Sequence, residues 1–252
     1  MSFSDHGYEP VPARWRGYCQ DSAYHGVSCN FMSYLNGKLI GAKYFKEGYE
    51  ATHGSMDPRM MTPRDQDGHG THTLSTATGN FVPGASVLGA GIGTAKGGAP
   101  WARVASYKAC WPPLKTGTCY DADVLAAFEE AIYDGVDVLC VSLGKDPVEY
   151  FRDSFSIGAF HAVKNGIVVA CSAGNSGPDL GTVMNVSPWV ITVGAGTLGR
   201  EFEASIELEL ETRNDDLYFK GLSLSKPLPE RKFYDLIAGA HARAAYASPD
   251  DS

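Results

Sequence analysis

Two histidines lie three residues apart in the segment "DQDGHGTHTLST", residues 65–76. On a helix, His69 and His72 would share one face. A histidine can act as a general base, bind a metal ion or be an ordinary hydrogen-bonded residue. Metal-binding helices more often carry histidines four residues apart with a glutamate between them, and the sequence offers no evident third ligand. We therefore predict no metal site here.

The residues that surround the two histidines are small and hydroxylated. A helix with so little side-chain bulk can lie deep in a sheet and present a histidine at its N-terminal end. His69 is then a candidate general base, which needs a nucleophile to deprotonate. The small residues in question are Thr71, Thr73, Ser75 and Thr76.

Residues 100–195 alternate between strand patterns and helix patterns. Near-continuous apolar runs of strand length are separated by two amphipathic segments. This alternation predicts an α/β fold in which a parallel sheet is covered by helices on both faces. The expected order is a strand at 102–110, a helix at 121–135, a strand at 136–144, a helix at 154–166, and strands at 167–174 and 189–195.

The first of these helices carries start and stop signals. Asp121 or Asp123 can cap its first turn, and Gly135 is placed to end it in a left-handed conformation. Its apolar residues recur at helical spacing, which predicts one buried face. Outside the alternating region, residues 38–45 predict a further strand, and "REFEASIELELETRNDDLYFKGLSLS" (200–225) predicts strands joined by a turn.

Short polar segments follow two of the predicted strands. Ser142-Leu143-Gly144 follows one strand, and the segment that ends at Asn175 follows the next. In open parallel sheets, ligands bind beyond the carboxyl ends of the strands. The position of these segments therefore predicts a functional edge. An ordinary turn residue between two glycines is the alternative for Asn175.

Composition and charge exclude several classes of partner. The formal net charge of −8 argues against nucleic acid or an anionic membrane surface as the main partner. No apolar run reaches the roughly 18 residues of a membrane-spanning helix, so no membrane partner is expected. The N-terminal "MSFSDHGYEP" lacks the basic start and apolar stretch of a signal peptide. Either the protein is intracellular or the chain begins inside a longer precursor, and the sequence carries no signal of oligomeric state.

Four of the six cysteines bracket short loops. Cys19 and Cys29 flank one loop, and Cys110 and Cys119 flank another. Such spacing favours two disulfides and an oxidising compartment, with four unrelated thiols as the alternative. The remaining cysteines lie in apolar runs and are predicted to be core residues: Cys140 and Cys171.

The glycine-rich stretch "GAGIGTAKGG" (89–98) is the only hint of a nucleotide cofactor. A dinucleotide fingerprint needs a different glycine spacing and must open a helix, whereas this stretch leads into a predicted strand. We predict a flexible surface turn and no cofactor. A nucleotide-dependent oxidoreductase is an alternative that rests on this stretch alone.

Several segments together resemble the subtilisin-like serine proteases and, in wording, the plant subtilases. The match runs in the family's order over nearly the whole chain. It implies a subtilisin-like fold, with a parallel sheet sandwiched by helices, a peptide or protein substrate, no cofactor, and secretion into the extracellular space. The segments are "DGHGTHTLST", "GTAKGGAPWARVASYKACW", "DADVLAAFEEAIYDGVDVLCVSLG", "ACSAGNSGP" and "TVMNVSPWVITVGAGTLGREF".

The resemblance assigns a role to each candidate residue. His69 would be the general base of a Ser-His-Asp triad, and His72 a structural neighbour hydrogen-bonded under the helix. Asn175 would donate its side-chain amide to the oxyanion of the tetrahedral intermediate. Ser142-Leu143-Gly144 would pair its backbone with the peptide substrate, as an added strand.

The same resemblance implies that two triad members are missing. The family's Asp-Thr-Gly or Asp-Ser-Gly motif and its Gly-Thr-Ser motif do not occur in the sequence. Asp67 and Ser176 are near in sequence, but neither stands in the matching motif. We therefore expect a truncated fragment that lacks the first core strand and the nucleophile helix, and that is inactive alone. The alternative is a non-catalytic, truncated protease-like protein that binds peptides or other proteins.

The resemblance also predicts domain boundaries and local departures. Residues 1–220 would be a partial catalytic domain, and 221–252 would lead to an inserted protease-associated domain. Lys145 stands where the family has a second glycine, which predicts a narrower or more charged substrate pocket. Residues 31–37 and 209–216 resemble insertions.

One glycosylation sequon is present at Asn185-Val186-Ser187. Its asparagine would accept a glycan on a surface loop of a secreted protein. Pro188 follows the sequon and disfavours this modification.

Overall fold

The computed structural model describes residues 1–20, 37–111, 118–197, 202–209, 217–224 and 232–237. They fall into two compact units: Met1–Pro83 with Thr94–Thr197, and Gly84–Gly93 with the described part of Leu198–Ser252. Every residue to which the sequence assigns a catalytic or substrate-binding role lies in the first unit. Cys29 and the predicted insertions, apart from Gly37 and Glu209, lie outside the described residues.

Within residues 104–193, the two predicted helices and the predicted strands follow one another in the order that the sequence pattern predicts, with one further short strand pair before the first helix. A short 3-10 turn at Tyr150–Arg152 comes before the last helix. The elements are β1 (Leu39–Tyr44), α1 (Glu47–His53), α2 (His69–Thr78), β2 (Val82–Val87), β3 (Ala90–Ala95), β4 (Val104–Lys108), β5 (Cys110–Trp111), β6 (Thr118–Cys119), α3 (Asp121–Asp134), β7 (Val138–Val141), α4 (Ser154–Lys164), β8 (Val168–Ser172), β9 (Ile191–Val193), β10 (Glu203–Leu208) and β11 (Leu217–Leu222).

Two parallel sheets form the framework of the first unit. β1 pairs with β4, with Ala42 opposite Ser106. β7, β8 and β9 pair in that order, with Cys140 opposite Ala170 and Ala170 opposite Ile191. These pairings confirm the predicted fold class, because parallel neighbours require crossover connections such as α4 between β7 and β8.

Helices α3 and α4 pack against each other on one face of the three-stranded sheet. Phe128 of α3 and Phe155 of α4 meet Val169 of β8 in the buried core. The opposite face of this sheet is open among the described residues, and Val138 and Ile191 there are 59% and 56% exposed. The two helices therefore cover one side of the sheet rather than dividing between its faces.

The start of α3 differs from the sequence prediction. The residue before it is Tyr120, which makes no side-chain cap, so the prediction that Asp121 or Asp123 caps this helix is wrong. Asp123 is fully buried and accepts the backbone N–H groups of Gly48 and Tyr49, at 2.8 and 3.1 Å, in the first turn of α1. These amides have no carbonyl partner within their own short helix, which is why the carboxylate turns toward them.

The end of α3 is as predicted. Gly135 has a φ of 84°, in the left-handed region that glycine adopts without steric strain. Its N–H donates to the carbonyl oxygen of Ile132 at 3.2 Å. The chain can therefore turn at once toward β7.

The glycine-rich stretch is more ordered than the predicted flexible turn. Strands β2 and β3 pair across Leu88 and Gly89, which both have a positive φ. Gly97 then passes the end of α2 so closely that a Cβ atom there would lie 2.3 Å from the amide nitrogen of Gly79. Its own N–H donates to the carbonyl of Gly79 at 2.8 Å. Gly97 therefore allows this close approach of the chain to the end of α2.

The second unit contains a two-stranded antiparallel ribbon. β10 pairs with β11, with Glu203 opposite Leu222 and Leu208 opposite Leu217. This ribbon confirms the predicted strands after residue 200. Phe202 packs against Gly91, where any larger side chain would clash with its ring.

The described cysteines differ in their environments, and Cys19 is half-buried. Cys110 and Cys119 are joined by a disulfide across the paired strands β5 and β6. Cys171 is buried, and burial raises the pKa of its thiol to about 11. Cys140 was predicted to be a core residue but is exposed, because its side chain points to the open face of the sheet.

A buried lysine on β1 connects the first sheet to α3. Lys43 donates to Asp134 at 2.8 Å and to Glu130 at 2.6 Å. Tyr107 donates to the second oxygen of Asp134 at 2.8 Å. Burial alone would lower the pKa of Lys43, but the two carboxylates outweigh it and raise that pKa. The lysine is thus held as a cation between the sheet and the helix.

We predict a large difference between two lysine-to-alanine variants. The side chains of Lys43 and Asp134 are 4% and 1% exposed, whereas those of the Lys46–Glu50 pair are 22% and 26% exposed. Lys43→Ala leaves a buried carboxylate without its cation and should lower the free energy of unfolding by about 3–5 kcal/mol. Lys46→Ala should lower it by about 0.3–0.5 kcal/mol. Urea denaturation of the two variants checks this, and equal small losses would contradict it.

Candidate functional site

The candidate general base begins a helix whose side chains are accessible. α2 starts at His69, and none of its residues is buried. The prediction that this helix lies deep in the sheet is therefore wrong for the described structure, and His72 is exposed rather than covered. The hydroxyl groups of Ser75 and Thr76 both donate to the backbone carbonyl of His72, at 3.0 and 2.9 Å. The hydroxyl groups of Ser75 and Thr76 are thus satisfied by their own helix.

A carboxylate four residues before α2 holds the start of this helix. Asp65 accepts the backbone N–H groups of Gly68 at 2.8 Å and of Thr71 at 2.7 Å. It also accepts the Thr71 hydroxyl at 2.6 Å and the N–H of Asp67 at 3.0 Å. Burial alone would raise the pKa of Asp65, but these hydrogen bonds outweigh it and lower that pKa to about 2. The backbone that carries His69 is therefore fixed by a carboxylate that is ionised at neutral pH.

Lys108, at the end of β4, holds the loop that contains Asp65. Its ammonium group donates to the backbone carbonyls of Arg64 at 2.9 Å and Thr62 at 3.3 Å. It lies 4.5 Å from the ring centroid of Trp111, which gives a cation–π contact. Burial lowers the pKa of Lys108 to about 8, although the Asp65 carboxylate opposes this shift. The position of Asp65 is thus tied to the first sheet.

Lys38 holds the other end of α2. This fully buried ammonium group donates to the carbonyl of Thr78, the last residue of the helix, and to those of Pro100 and Ala102 at 2.8 Å each. Three carbonyls match its three N–H groups. Burial lowers the pKa of Lys38. Both ends of the helix that carries His69 are consequently attached to the first sheet and its neighbouring loops.

The ends of β7 and β8 approach each other around one methionine. A Cβ atom on Gly144 or on Gly174 would lie 3.0 Å from the Met184 side chain. The N–H of Met184 donates to the carbonyl of Ala173 at 2.9 Å. Ser142-Leu143-Gly144 and the loop that leads to Asn175 therefore meet at this edge of the sheet.

Asn175 is exposed on the loop after β8. The preceding Gly174 has a φ of 89°, which turns the chain sharply after the strand. Among the described residues, no hydrogen bond engages the side-chain amide of Asn175. Its N–H groups are thus available to an external acceptor.

His69 is not joined to the other candidate residues. Within the described ranges, no hydrogen bond or ion pair links its side chain to Asn175 or Ser142. The structure therefore brings the substrate-edge and oxyanion candidates together and leaves the candidate base on its own helix.

Lys145 makes contacts that the sequence did not predict. Its ammonium group donates to Asp121 at 2.7 Å and lies 3.6 Å from Asp153. Asp121 also accepts the hydroxyl of Ser154 at 2.7 Å. Burial alone would raise the pKa of Asp121, but the lysine and this hydroxyl outweigh it and lower that pKa. Lys145 is thus paired with two carboxylates at the starts of α3 and α4, where the helix dipoles favour such anions. In this structure it does not add an unpaired charge to the substrate edge.

The described residues form neither a metal-ligand cluster nor a membrane-spanning helix. They contain no group of three or more His, Cys, Asp or Glu side chains placed to hold a metal ion. The helices among them are all too short or too polar to cross a bilayer.

Four supporting residues escape a motif-based analysis. Asp65 leaves a faint signal, since an acidic residue just before a helix is a common capping pattern. The two lysines would ordinarily be assigned to the surface, and the sequon asparagine to an exposed loop. These residues are Asp65, Lys38, Lys108 and Asn185.

Removal of the Asp65 carboxylate should loosen the start of α2 in a pH-dependent way. Asp65→Ala should lower the local free energy of opening by about 1 kcal/mol at pH 7. The folded-state pKa is depressed, so this stabilisation is complete above the ordinary value of 3.8 and is lost as the pH falls toward 2. Hydrogen exchange of the Thr71 amide and an NMR titration of the carboxylate measure both quantities.

Asp67→Ala is the matched control for this prediction. Asp67 lies two residues away, is exposed, and accepts only the His69 N–H at 3.4 Å among the described contacts. Its loss should change exchange at Thr71 less than twofold. A titration of Asp65 near 3.8 would contradict the proposed capping role.

Comparison with known proteins shows where this chain belongs. Residues 26–243 match the Subtilase family. The whole chain is 57% identical to subtilisin-like protease SBT5.4 and 54% identical to subtilisin-like protease SBT5.3, both from Arabidopsis thaliana. It is 49% identical to subtilisin-like protease Glyma18g48580 from Glycine max.

The alignments cover all of this chain but only 30%, 31% and 31% of the three relatives. The chain thus spans about a third of the length of these plant proteases. The match includes both parallel sheets, α2, and the segments that follow β7 and β8. The protein belongs to the subtilase family of serine proteases.

Proposed function

We propose that this chain is the part of a subtilisin-like serine endopeptidase that supplies the general base and the oxyanion donor. The observation that supports this most is the meeting of two strand ends around Met184. There, Ser142-Leu143-Gly144 and the Asn175 loop share the edge at which parallel sheets bind ligands. Because the chain belongs to the subtilase family, we interpret this edge as the place where a peptide substrate and its oxyanion are bound.

Each candidate residue has a distinct part in the proposed reaction. The imidazole of His69 takes the proton of a serine nucleophile and returns it to the leaving amine. The exposed amide of Asn175 donates to the oxyanion, an interaction worth about 10²–10³ in turnover as measured for subtilisin. The backbone of Ser142-Leu143-Gly144 pairs with an extended peptide and orients its scissile bond.

This chain alone is proposed to be inactive. Its sequence contains neither an Asp-Thr-Gly or Asp-Ser-Gly motif nor a Gly-Thr-Ser motif. Without a serine nucleophile, no acyl-enzyme can form, and without the aspartate carboxylate, the histidine base is not oriented. The chain therefore supplies binding and proton-transfer groups rather than a complete catalytic centre.

Secretion and a further domain belong to the same proposal. The Cys110–Cys119 disulfide suits an oxidising compartment. Residues 1–220 form the partial catalytic domain, and residues 221–252 lead toward an inserted protease-associated domain. Peptides or proteins are the proposed substrates, and no cofactor is required.

Labelling with a fluorophosphonate probe tests the claim of inactivity. The probe reacts with serine hydroxyls that an adjacent base activates. We expect no labelling of this chain above that of the heat-denatured protein. Specific labelling, mapped by mass spectrometry to one serine, would contradict the proposal and identify a recruited nucleophile.

The role of His69 is tested in a longer protein that carries all three triad members. His69→Ala should lower kcat/KM by about 10⁴–10⁶-fold, the range measured for triad members in subtilisin. His72→Ala, in the exposed neighbour on the same helix, should retain activity within about tenfold, because its side chain serves no step of the reaction. Circular dichroism checks that both variants fold. Equal activity of His69→Ala and the parent would overturn the assignment.

A further inference from the structure

Asn185 lies beside the junction of the two strand ends. It follows Met184 directly and adopts a φ of 53°, a left-handed conformation that asparagine tolerates better than most residues. The hydroxyl of Thr192, on β9, donates to its backbone carbonyl at 2.6 Å. The unusual backbone conformation is therefore anchored from the neighbouring strand.

The side-chain amide of Asn185 bridges two backbone carbonyls. Nδ2 donates to the carbonyl oxygen of Leu143 at 2.8 Å and to that of Ser172 at 2.8 Å. An asparagine amide has only two N–H groups, so both are used. One carbonyl belongs to the segment after β7, and the other belongs to the last residue of β8.

These bonds begin where the backbone ladder ends. The pairing of β7 with β8 runs as far as Val141 opposite Cys171. One residue further on, Ser172 is still paired with Val193 of β9, on the other side of β8, but has no partner in β7. The two bridged carbonyls lie just beyond this last rung, where two acceptors cannot bond to each other. A side-chain donor between them satisfies both and keeps the strand ends apart.

We propose that Asn185 is a positioning residue that holds open the edge between Ser142–Gly144 and Ala173–Asn175. Its amide replaces the next rung of the ladder, so that the substrate segment and the oxyanion loop keep a fixed separation. The structural part of this proposal depends only on the two hydrogen bonds. Its consequence for peptide binding rests on the proposed function.

The glycosylation sequon is consequently not used in the folded protein. A glycan on Nδ2 would replace one of the two N–H groups that form the bridge. It would also have to occupy the space next to the Leu143 and Ser172 carbonyls. Ser187, the third residue of the sequon, is buried and lies 2.5 Å from the hydroxyl of Ser156. The asparagine of the glycosylation sequon therefore forms a hydrogen-bonded bridge between two strand ends instead of carrying a glycan.

The bridge is first tested in the unmodified chain by NMR. Couplings across hydrogen bonds should connect Nδ2 of Asn185 to the carbonyl carbons of Leu143 and Ser172. This measurement needs no variant and therefore does not depend on whether a variant folds. An Asn185 amide that lacks both couplings and exchanges as fast as an exposed one would overturn the proposal.

Asn185→Asp then removes the donors while it preserves the shape of the side chain. Hydrogen exchange of the Met184 and Ala173 amides, which donate to the carbonyls of Ala173 and Val193 at this edge, should become at least about tenfold faster, whereas exchange at Ala131 in α3 should change less than twofold. Asn165→Ala is the matched control, because the Asn165 amide donates to only one carbonyl, at an exposed helix end. Unchanged exchange at Met184 and Ala173, or equal acceleration at Ala131, would overturn the positioning role.

Peptide binding separates this proposal from the proposed function. The probe is an acetylated and amidated pentapeptide of alanine with a central phenylalanine, titrated into each variant and followed by amide shifts at Gly144. Binding that weakens at least fivefold in Asn185→Asp but not in Asn165→Ala supports both ideas. If the unmodified chain binds no peptide while the exchange results hold, the proposed function fails and the positioning role stands.

The sequon is tested by expression in a eukaryotic secretory host. The intact mass of the folded chain should show no glycan at Asn185. Ser187→Ala removes the sequon and keeps the asparagine, so it should have the same mass apart from the substitution and the same exchange at Met184. A glycan on Asn185 in folded protein would overturn the proposed bridge.

Discussion

Backbone carbonyls that have no partner in a helix or sheet determine how the first unit is held together. A buried carbonyl without a donor costs roughly 1–3 kcal/mol, so each such group needs a hydrogen bond. In this protein, long or branched side chains supply these donors at the ends of regular elements. Lys38 donates to the last carbonyl of α2, and Lys108 donates to carbonyls of the loop before this helix. Asn185 donates to carbonyls at the ends of β7 and β8. The same solution recurs at three places where the chain leaves a regular element.

The two lysines differ from Lys43 in what they donate to. Lys43 lies between two carboxylates, which raise its pKa despite burial. Lys38 and Lys108 donate mainly to neutral carbonyls, and burial lowers the pKa of both. The first arrangement stabilises a charge inside the protein, while the second uses an ammonium group for its number of N–H groups. Burial alone therefore does not define the role of a lysine in this fold.

Periodicity and turn signals predicted the regular elements well. The helix expected at 121–135 is observed at Asp121–Asp134, and each strand expected from an apolar run is present. These predictions succeed because spacing along the chain directly determines which side chains share a face.

Contacts between distant segments were not predictable in this way. Asp123 caps a helix that begins more than seventy residues earlier, and Lys38 is buried only because three carbonyls from two segments surround it. At the candidate site, His69 and the two strand ends are sequence-based candidates. Asp65 and Asn185 were not, because their roles depend on which amides and carbonyls lie within reach after folding.

The candidate site combines a fixed backbone with accessible side chains. Around His69, Asp65 fixes the first turn of the helix, yet the imidazole itself is exposed. Around Asn175, Met184 and Asn185 fix the strand ends, yet the side-chain amide of Asn175 is exposed as well. Because these contacts already order the backbone, it loses little additional conformational entropy when a substrate binds. The hydrogen bonds that hold these segments therefore position the exposed side chains of the candidate site.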